Sequence, residues 1–215
     1  MSDITHLQAT VGPTDGDTAN GQSQAVRISR AGGGMLTAPI SASLQEAVLK
    51  GNCYGWCSQT GVTSQAGLSA TTPVGVLYNP LGSGKRAVLW FAGASFNVVF
   101  AAVASIFVAV NTNTAAAAIA GTLSTTHRNL LLGGANNPVC VPRLASTLPA
   151  APVAIAILGQ GLTGAVNLMP HTVPLGRWFN GSIVLQPGTA LSLQTGAASG
   201  ASGMFCEYIW EEIPE

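Results

Sequence analysis

The chain has 215 residues, eight Lys or Arg, eight Asp or Glu and a formal net charge of zero, and only 7% of it is charged, against about 25% in an ordinary soluble protein. All eight carboxylates lie towards the ends, Asp3, Asp15, Asp17 and Glu46 on one side and Glu207, Glu211, Glu212 and Glu215 on the other, so the middle is acid-free. That middle can build no paired-carboxylate hydrolase, no acid-oriented catalytic His and no all-carboxylate Mg²⁺ or Ca²⁺ cage. The zero balance also gives no electrostatic search for nucleic acid.

Residues 1–24 are polar, with almost nothing to bury, and read as an extended arm. The opening MSDITHLQATVG has neither a basic start nor an apolar run, so no secretory signal is expected and the chain is expected to fold in a reducing cytoplasm. Residues 25–215 are expected to form one body. Ala25–Arg30 reads as its first short strand, ended by Gly32-Gly33-Gly34. Ser43 and Glu46 stand at capping-box spacing before Ala47, Val48 and Leu49, with Gly51 as a stop, which predicts one or two helical turns against a competing strand.

From Cys53 onward apolar runs alternate with turn clusters. Pro73–Tyr78 precedes the turn Asn79-Pro80-Leu81-Gly82-Ser83-Gly84. Residues 87–110 are apolar enough to span a bilayer, but Gly93, Ser95, Asn97 and Ser105 interrupt them, and two buried strands near 86–94 and 97–110 fit the same residues. Ala115–Gly121 suits either a helix or a strand edge, and Pro142–Pro152 reads as a Pro-spaced connector leading to a strand at Val153–Leu158. Gly181–Gln186, Pro187-Gly188 and Thr189–Thr195 read as strand, turn, strand. Met204–Ile213 alternates, with Met204, Cys206, Tyr208 and Trp210 on a core face and Phe205, Glu207, Ile209, Glu211 and Ile213 on a half-exposed one. Many short strands with no helix of ordinary length predict an all-β fold, a jelly-roll-like β-sandwich with an extended N-terminal arm.

No catalytic, cofactor-binding or metal site is expected. Ser124, Thr125 and Thr126 beside His127 and Arg128 have no acid nearby and no nucleophile signature. Gly82-Ser83-Gly84-Lys85 lacks the phosphate-loop pattern, because Arg86 follows the Lys. Cys53 and Cys57 form a C-x3-C pair without a second pair or a close His, so buried free thiols are expected over metal or a disulfide. Trp56, Trp90, Trp178 and Trp210 are spread along the chain and read as core rather than as a sugar platform. Asn180-Gly181-Ser182 is a glycosylation sequon without secretory context.

Three stretches resemble tailed-bacteriophage virion proteins, the jelly-roll capsid decoration (cement) and tail-associated β proteins. They are Gln22–Trp56, with its glycine break and LQEAVLKGNCYGW; the turn LYNPLGSGK at Leu77–Lys85; and GSIVLQPGTALSLQT with the final MFCEYIWEEIPE. The resemblance implies a structural, non-enzymatic virion protein that decorates the capsid, bridges capsomers of the major capsid protein or neighbouring virion proteins, and assembles as a homotrimer. A tail, baseplate or head-fibre component is the alternative within that class, and a small membrane-associated protein anchored by 87–110 is the alternative outside it. Surfaces of Ala, Thr, Ser and Val suit such assembly, because burying them carries no charge-desolvation cost. The arm and the outward face of the last strand are the expected contact elements.

Overall fold

A computed structural model describes residues 8–10, 23–25, 40–96, 104–112, 119–161, 175–198 and 203–215. It divides into two compact units, 1–43 and 44–215. In the first, β1 (Gln8–Thr10) pairs antiparallel with β2 (Ser23–Ala25). The expected strand over 25–30 and its glycine break lie otherwise outside the described residues, as does most of the arm.

The helix is confirmed and starts earlier than the capping box implied: α1 spans Ile40–Leu49. Gly51 stops it at φ 74, its N–H donating to Val48 O at 2.9 Å while Asn52 N–H reaches Ala47 O at 3.3 Å. These bonds form a Schellman motif, whose left-handed residue glycine adopts without a Cβ clash.

The second unit is a two-sheet antiparallel sandwich. Its strands are β3 (Cys53–Cys57), β4 (Val76–Asn79), β5 (Lys85–Phe96), β6 (Ala104–Asn111), β7 (Ala120–Leu123), β8 (Arg128–Asn129), β9 (Val141–Thr147), β10 (Val153–Gly161), β11 (Leu175–Leu185), β12 (Thr189–Thr195) and β13 (Met204–Pro214). One sheet runs β11-β5-β13-β3-β8, the other β10-β6-β12-β4-β9-β7. The pairs β3·β13, β4·β12, β5·β11 and β6·β10 are all antiparallel. The chain is therefore one long ribbon, β3 to β6 folded back on β10 to β13 and rolled so that successive strands alternate between sheets. That topology is the jelly roll. The segment carrying β7, β8 and β9 interrupts the ribbon at its far end, extending one sheet beyond β4 and the other beyond β3.

The roll refines three local expectations. The residues read as adjacent strands within 87–110 form β5 and β6, which lie in opposite sheets. No helix among the described residues is long and apolar enough to cross a membrane. The strand, turn, strand reading of Gly181–Thr195 holds, but the two strands do not pair with each other, since β11 pairs with β5 while β12 pairs with β4 and β6. The expected Pro-spaced connector is strand up to Thr147, as β9 held between β4 and β7, and only residues 148–152 connect it to β10.

The main core fills the space between the sheets. Along β13 the even positions Met204, Cys206, Tyr208 and Trp210 are buried as the alternation predicts. Cross-strand register opposes Tyr208 to Trp56 and Trp210 to Tyr54, and both pairs stack with ring centroids 5.8 Å apart. Each such pair adds about 0.5–1.5 kcal/mol beyond area burial. The Tyr208 hydroxyl donates to Gly75 O at 2.9 Å and Trp56 Nε1–H to Ser124 Oγ at 2.6 Å, so the polar ends of both rings are partnered.

Both outer faces carry some cover. On the β3–β13–β5 face, Leu44, Ala47 and Val48 of α1 pack with Cys53, Trp90 and Ile209. On the other sheet, Ala70, Ile119 and Leu148 pack over Val76, Tyr78 and Ala190. Gln194 Nε2 there donates to Ser69 O, and Thr195 Oγ1 to Ser64 Oγ at 2.7 Å.

Candidate functional site

Where the β11-β5-β13-β3 sheet extends past the helix α1, its outer face has a different chemistry. The register sets Gly176, Gly93, Glu207 and Cys57 abreast on four neighbouring strands, with Trp178, Phe91, Ile209 and Gly55 in a second row. The Phe91 ring lies across the two glycines. A Cβ on Gly93 would stand 2.8 Å from Phe91 Cε1 and 2.6 Å from Glu207 Oε1, and one on Gly176 would strike the Phe91 ring. Glycine here admits the ring and the carboxylate against bare backbone. Trp178 packs on Phe91 at a centroid distance of 5.0 Å and an interplanar angle of 54°, and is 52% exposed.

Beside this corner is a cleft of about 120 Å³ lined by Cys57, Gly93, Ser95, Phe205 and Glu207. Partial burial raises the Glu207 carboxyl above its ordinary value. The Cys57 thiol is raised too, first by desolvation and then by the Glu207 charge, so it is a poor nucleophile. The outward face of the last strand is thus divided. Phe205 and Glu207 open into the cleft, whereas Ile209 packs under α1 and Glu211 Oε2 accepts from Trp90 Nε1–H at 3.3 Å.

All four cysteines are free, three of them buried and Cys57 exposed. Cys53 and Cys57 sit at opposite ends of β3, about 13 Å apart by strand rise, too far for a disulfide. Burial pushes the Cys53 and Cys206 thiols up to about 12, and Cys140 upward as well. Among the described residues no group of three or more His, Cys, Asp or Glu is placed to hold a metal ion.

The Ser124–His127 segment holds no nucleophile–base pair. Ser124 Oγ accepts from Trp56 and lies 3.0 Å from Thr126 Oγ1, while His127 Nδ1 lies 3.1 Å from the Ser124 carbonyl rather than its hydroxyl. Gly82–Lys85 forms a turn, Ser83 N–H donating to Pro80 O at 3.1 Å. Trp56, Trp90 and Trp210 are core residues as expected, and Trp178 is the exception. Asn180 of the sequon is exposed at φ 50, within the break in register between Trp178 and Ile183.

One buried group escaped the sequence reading. Glu212 shares the even face of β13 and is 4% exposed, its Oε1 accepting from Cys140 N–H at 2.7 Å and its Oε2 from Val139 N–H at 3.0 Å. Its parity with Met204 and Trp210 was the available signal. Glu212 ties the start of β9 to the end of β13 and is a structural fastening.

Comparison with protein-family models, with curated proteins and with solved structures finds no match to this chain.

Proposed function

We propose that the chain is a structural subunit of a tailed-phage particle, a capsid decoration (cement) protein that assembles as a homotrimer and bridges neighbouring capsomers. The observation that carries this reading is the distribution of exposed apolar side chains on the sandwich. One flank is formed by the edge strands β10 and β11, which lie against each other and bear Val153, Ile155, Ile157 and Val184 in solvent. The opposite flank ends in β7 and β8 and exposes Leu123, Leu131 and Leu132. Two unlike apolar flanks suit head-to-tail contacts that close into a ring, which also hides unpaired strand edges. The β10 strand carries no charge, so its burial incurs no ion-desolvation cost.

Co-sedimentation with particles lacking the protein tests the reading, comparing the full chain with a form missing residues 1–24. Saturable binding weakened by the deletion supports a cement subunit clamped by its arm. If the soluble full chain leaves such particles bare, the decoration role fails. The tail, baseplate or head-fibre alternative is favoured by one specific observation, the solvent-exposed Trp178 beside Phe91.

A further inference from the structure

We infer that the corner formed by Trp178, Phe91 and Glu207 binds one neutral pyranose ring of a glycan. This goes beyond the assembly role, which uses the flanks of the sandwich.

Covering of glycine by an aromatic accounts for Phe91, whose ring shields Gly93 on its own strand and Gly176 on the neighbouring one. It does not account for Trp178, a large ring left half in solvent on a strand where a polar residue would serve folding equally well. The two rings meet at 54°, so together they form an angled apolar wall. Glu207 lies on the far side of Gly93 from β11, beside the Phe91 ring that covers the two glycines of its row. Among the described residues its carboxylate makes no hydrogen bond or ion pair, although burial raises its proton affinity.

A pyranose matches that combination. One face of the ring presents C–H groups, which pack on an aromatic surface, and its rim presents vicinal hydroxyls, which donate to a carboxylate. The cleft of about 120 Å³ is well below the size of sites that enclose a drug-sized ligand. That cleft lies on the Glu207 side, among Cys57, Ser95 and Phe205 rather than against Trp178, so the corner contacts a single ring and leaves the remainder of a glycan in solvent, with a dissociation constant on the order of 1 mM per site. An acidic sugar is disfavoured, because its carboxylate would meet Glu207 at close range.

The test is saturation-transfer NMR on the full-length protein with the methyl glycosides of glucose, galactose, N-acetylglucosamine and N-acetylneuraminic acid. The expected result is saturation of ring C–H protons in at least one of the three neutral glycosides and none in the acidic one. Trp178→Ala should weaken that binding about tenfold or more, while Trp178→Phe retains most of it. Gly93→Ala should also weaken it, by forcing Glu207 and Phe91 from their positions; Trp178→Ala, at an exposed site, keeps the test independent of any folding defect in that variant. The inference is overturned if no neutral glycoside is saturated at tens of millimolar, or if Trp178→Ala binds as well as the parent. It is equally overturned if Trp178→Ala dissociates an oligomer while the parent ignores every glycoside, for then a second copy covers the corner.

Discussion

Replacing Glu212 separates two opposite views of a buried carboxylate. Its side chain accepts backbone N–H bonds from Val139 at 3.0 Å and Cys140 at 2.7 Å, with Trp210 Nε1 a marginal third donor at 3.4 Å. Bonds to a charged acceptor contribute about 1.5–3 kcal/mol each, so two contribute about 3–6 kcal/mol. No cation pairs with Glu212 among the described residues, and removing a buried charge recovers part of that gain. Glu212→Ala should therefore destabilise the fold by about 2–4 kcal/mol. Glu212→Gln keeps one acceptor oxygen but turns an amide donor towards an N–H, and should cost about 1–3 kcal/mol. With a urea m-value near 2 kcal/mol/M, the alanine variant's midpoint falls by about 1–2 M. Tryptophan fluorescence follows the transition, since Trp210 and Trp56 lie in the core. A glutamine variant as stable as the parent, or more so, would refute the reasoning and show the carboxylate to be a net cost.

Gly51→Ala places a Cβ on a residue at φ 74 and should lower stability by about 1 kcal/mol; an unchanged thermal midpoint would mean that the helix end relaxes freely. Gly75→Ala builds a methyl 2.6 Å from Cys206 Sγ and 3.3 Å from the Trp56 ring, and overpacking there should cost about 1–3 kcal/mol by urea titration, whereas a neutral result would show that the aromatic stack can shift. Cys53 and Cys206 have folded-state pKa values of about 12 against 9.0 in the unfolded chain. The folded state holds those protons more tightly, so this contribution is complete below pH 9.0 and is lost as the pH rises towards 12. The urea midpoint should fall across that window, and a flat profile contradicts burial of the two thiols. A thiol reagent on the native protein should reach the exposed Cys57, slowly because its thiol is raised, and the three buried cysteines only on unfolding.

The period-two signal was legible wherever one face of a strand is buried and the other is not. Met204–Ile213 could be read residue by residue, because its even side chains are large and apolar and its odd ones include carboxylates. The same reasoning stopped short of Glu212, where the residue type argued against burial and only parity argued for it. The sheet partners were less legible. Pro187-Gly188 has the chemistry of a hairpin turn, with Gly188 at φ 80 and Thr189 N–H donating to Gln186 O at 3.1 Å. Its strands nevertheless enter different sheets, since their partners are β5 on one side and β4 and β6 on the other, distant in sequence and chosen by the roll. Pro142, Pro149 and Pro152 disguised β9, although Pro142 sits in register opposite Leu77 and its carbonyl accepts from Ser124 N–H. Trp178 gave no sign of its exposure, because an aromatic in a strand reads as core until its row of neighbours is known.

The scarcity of charge has two physical origins, and separating them narrows the surface left for assembly. Part of it belongs to the fold. All of β4 is buried, and so is β12 after Thr189, because one face of that sheet meets the main core and the other meets Ala70, Ile119 and Leu148. A strand covered on both faces has no position where a charge avoids desolvation, so this sheet centre would be neutral in a monomer too. That explanation does not reach β10, an edge strand whose Val153, Ile155 and Ile157 are 66%, 47% and 61% exposed. Edge strands are commonly protected by charged side chains or by bulges. Here the protection comes from two breaks in register against β6 and from no charge at all. Bulges impede indiscriminate pairing while leaving an apolar flank free to meet a complementary one, as the proposed assembly role would require. Ile157→Lys should therefore leave the unfolding free energy of the isolated chain, by urea titration, within about 0.5 kcal/mol of the parent while shifting sedimentation towards the monomer. An unchanged oligomer would remove β10 from the contact and leave its exposed aliphatic residues without a role in assembly.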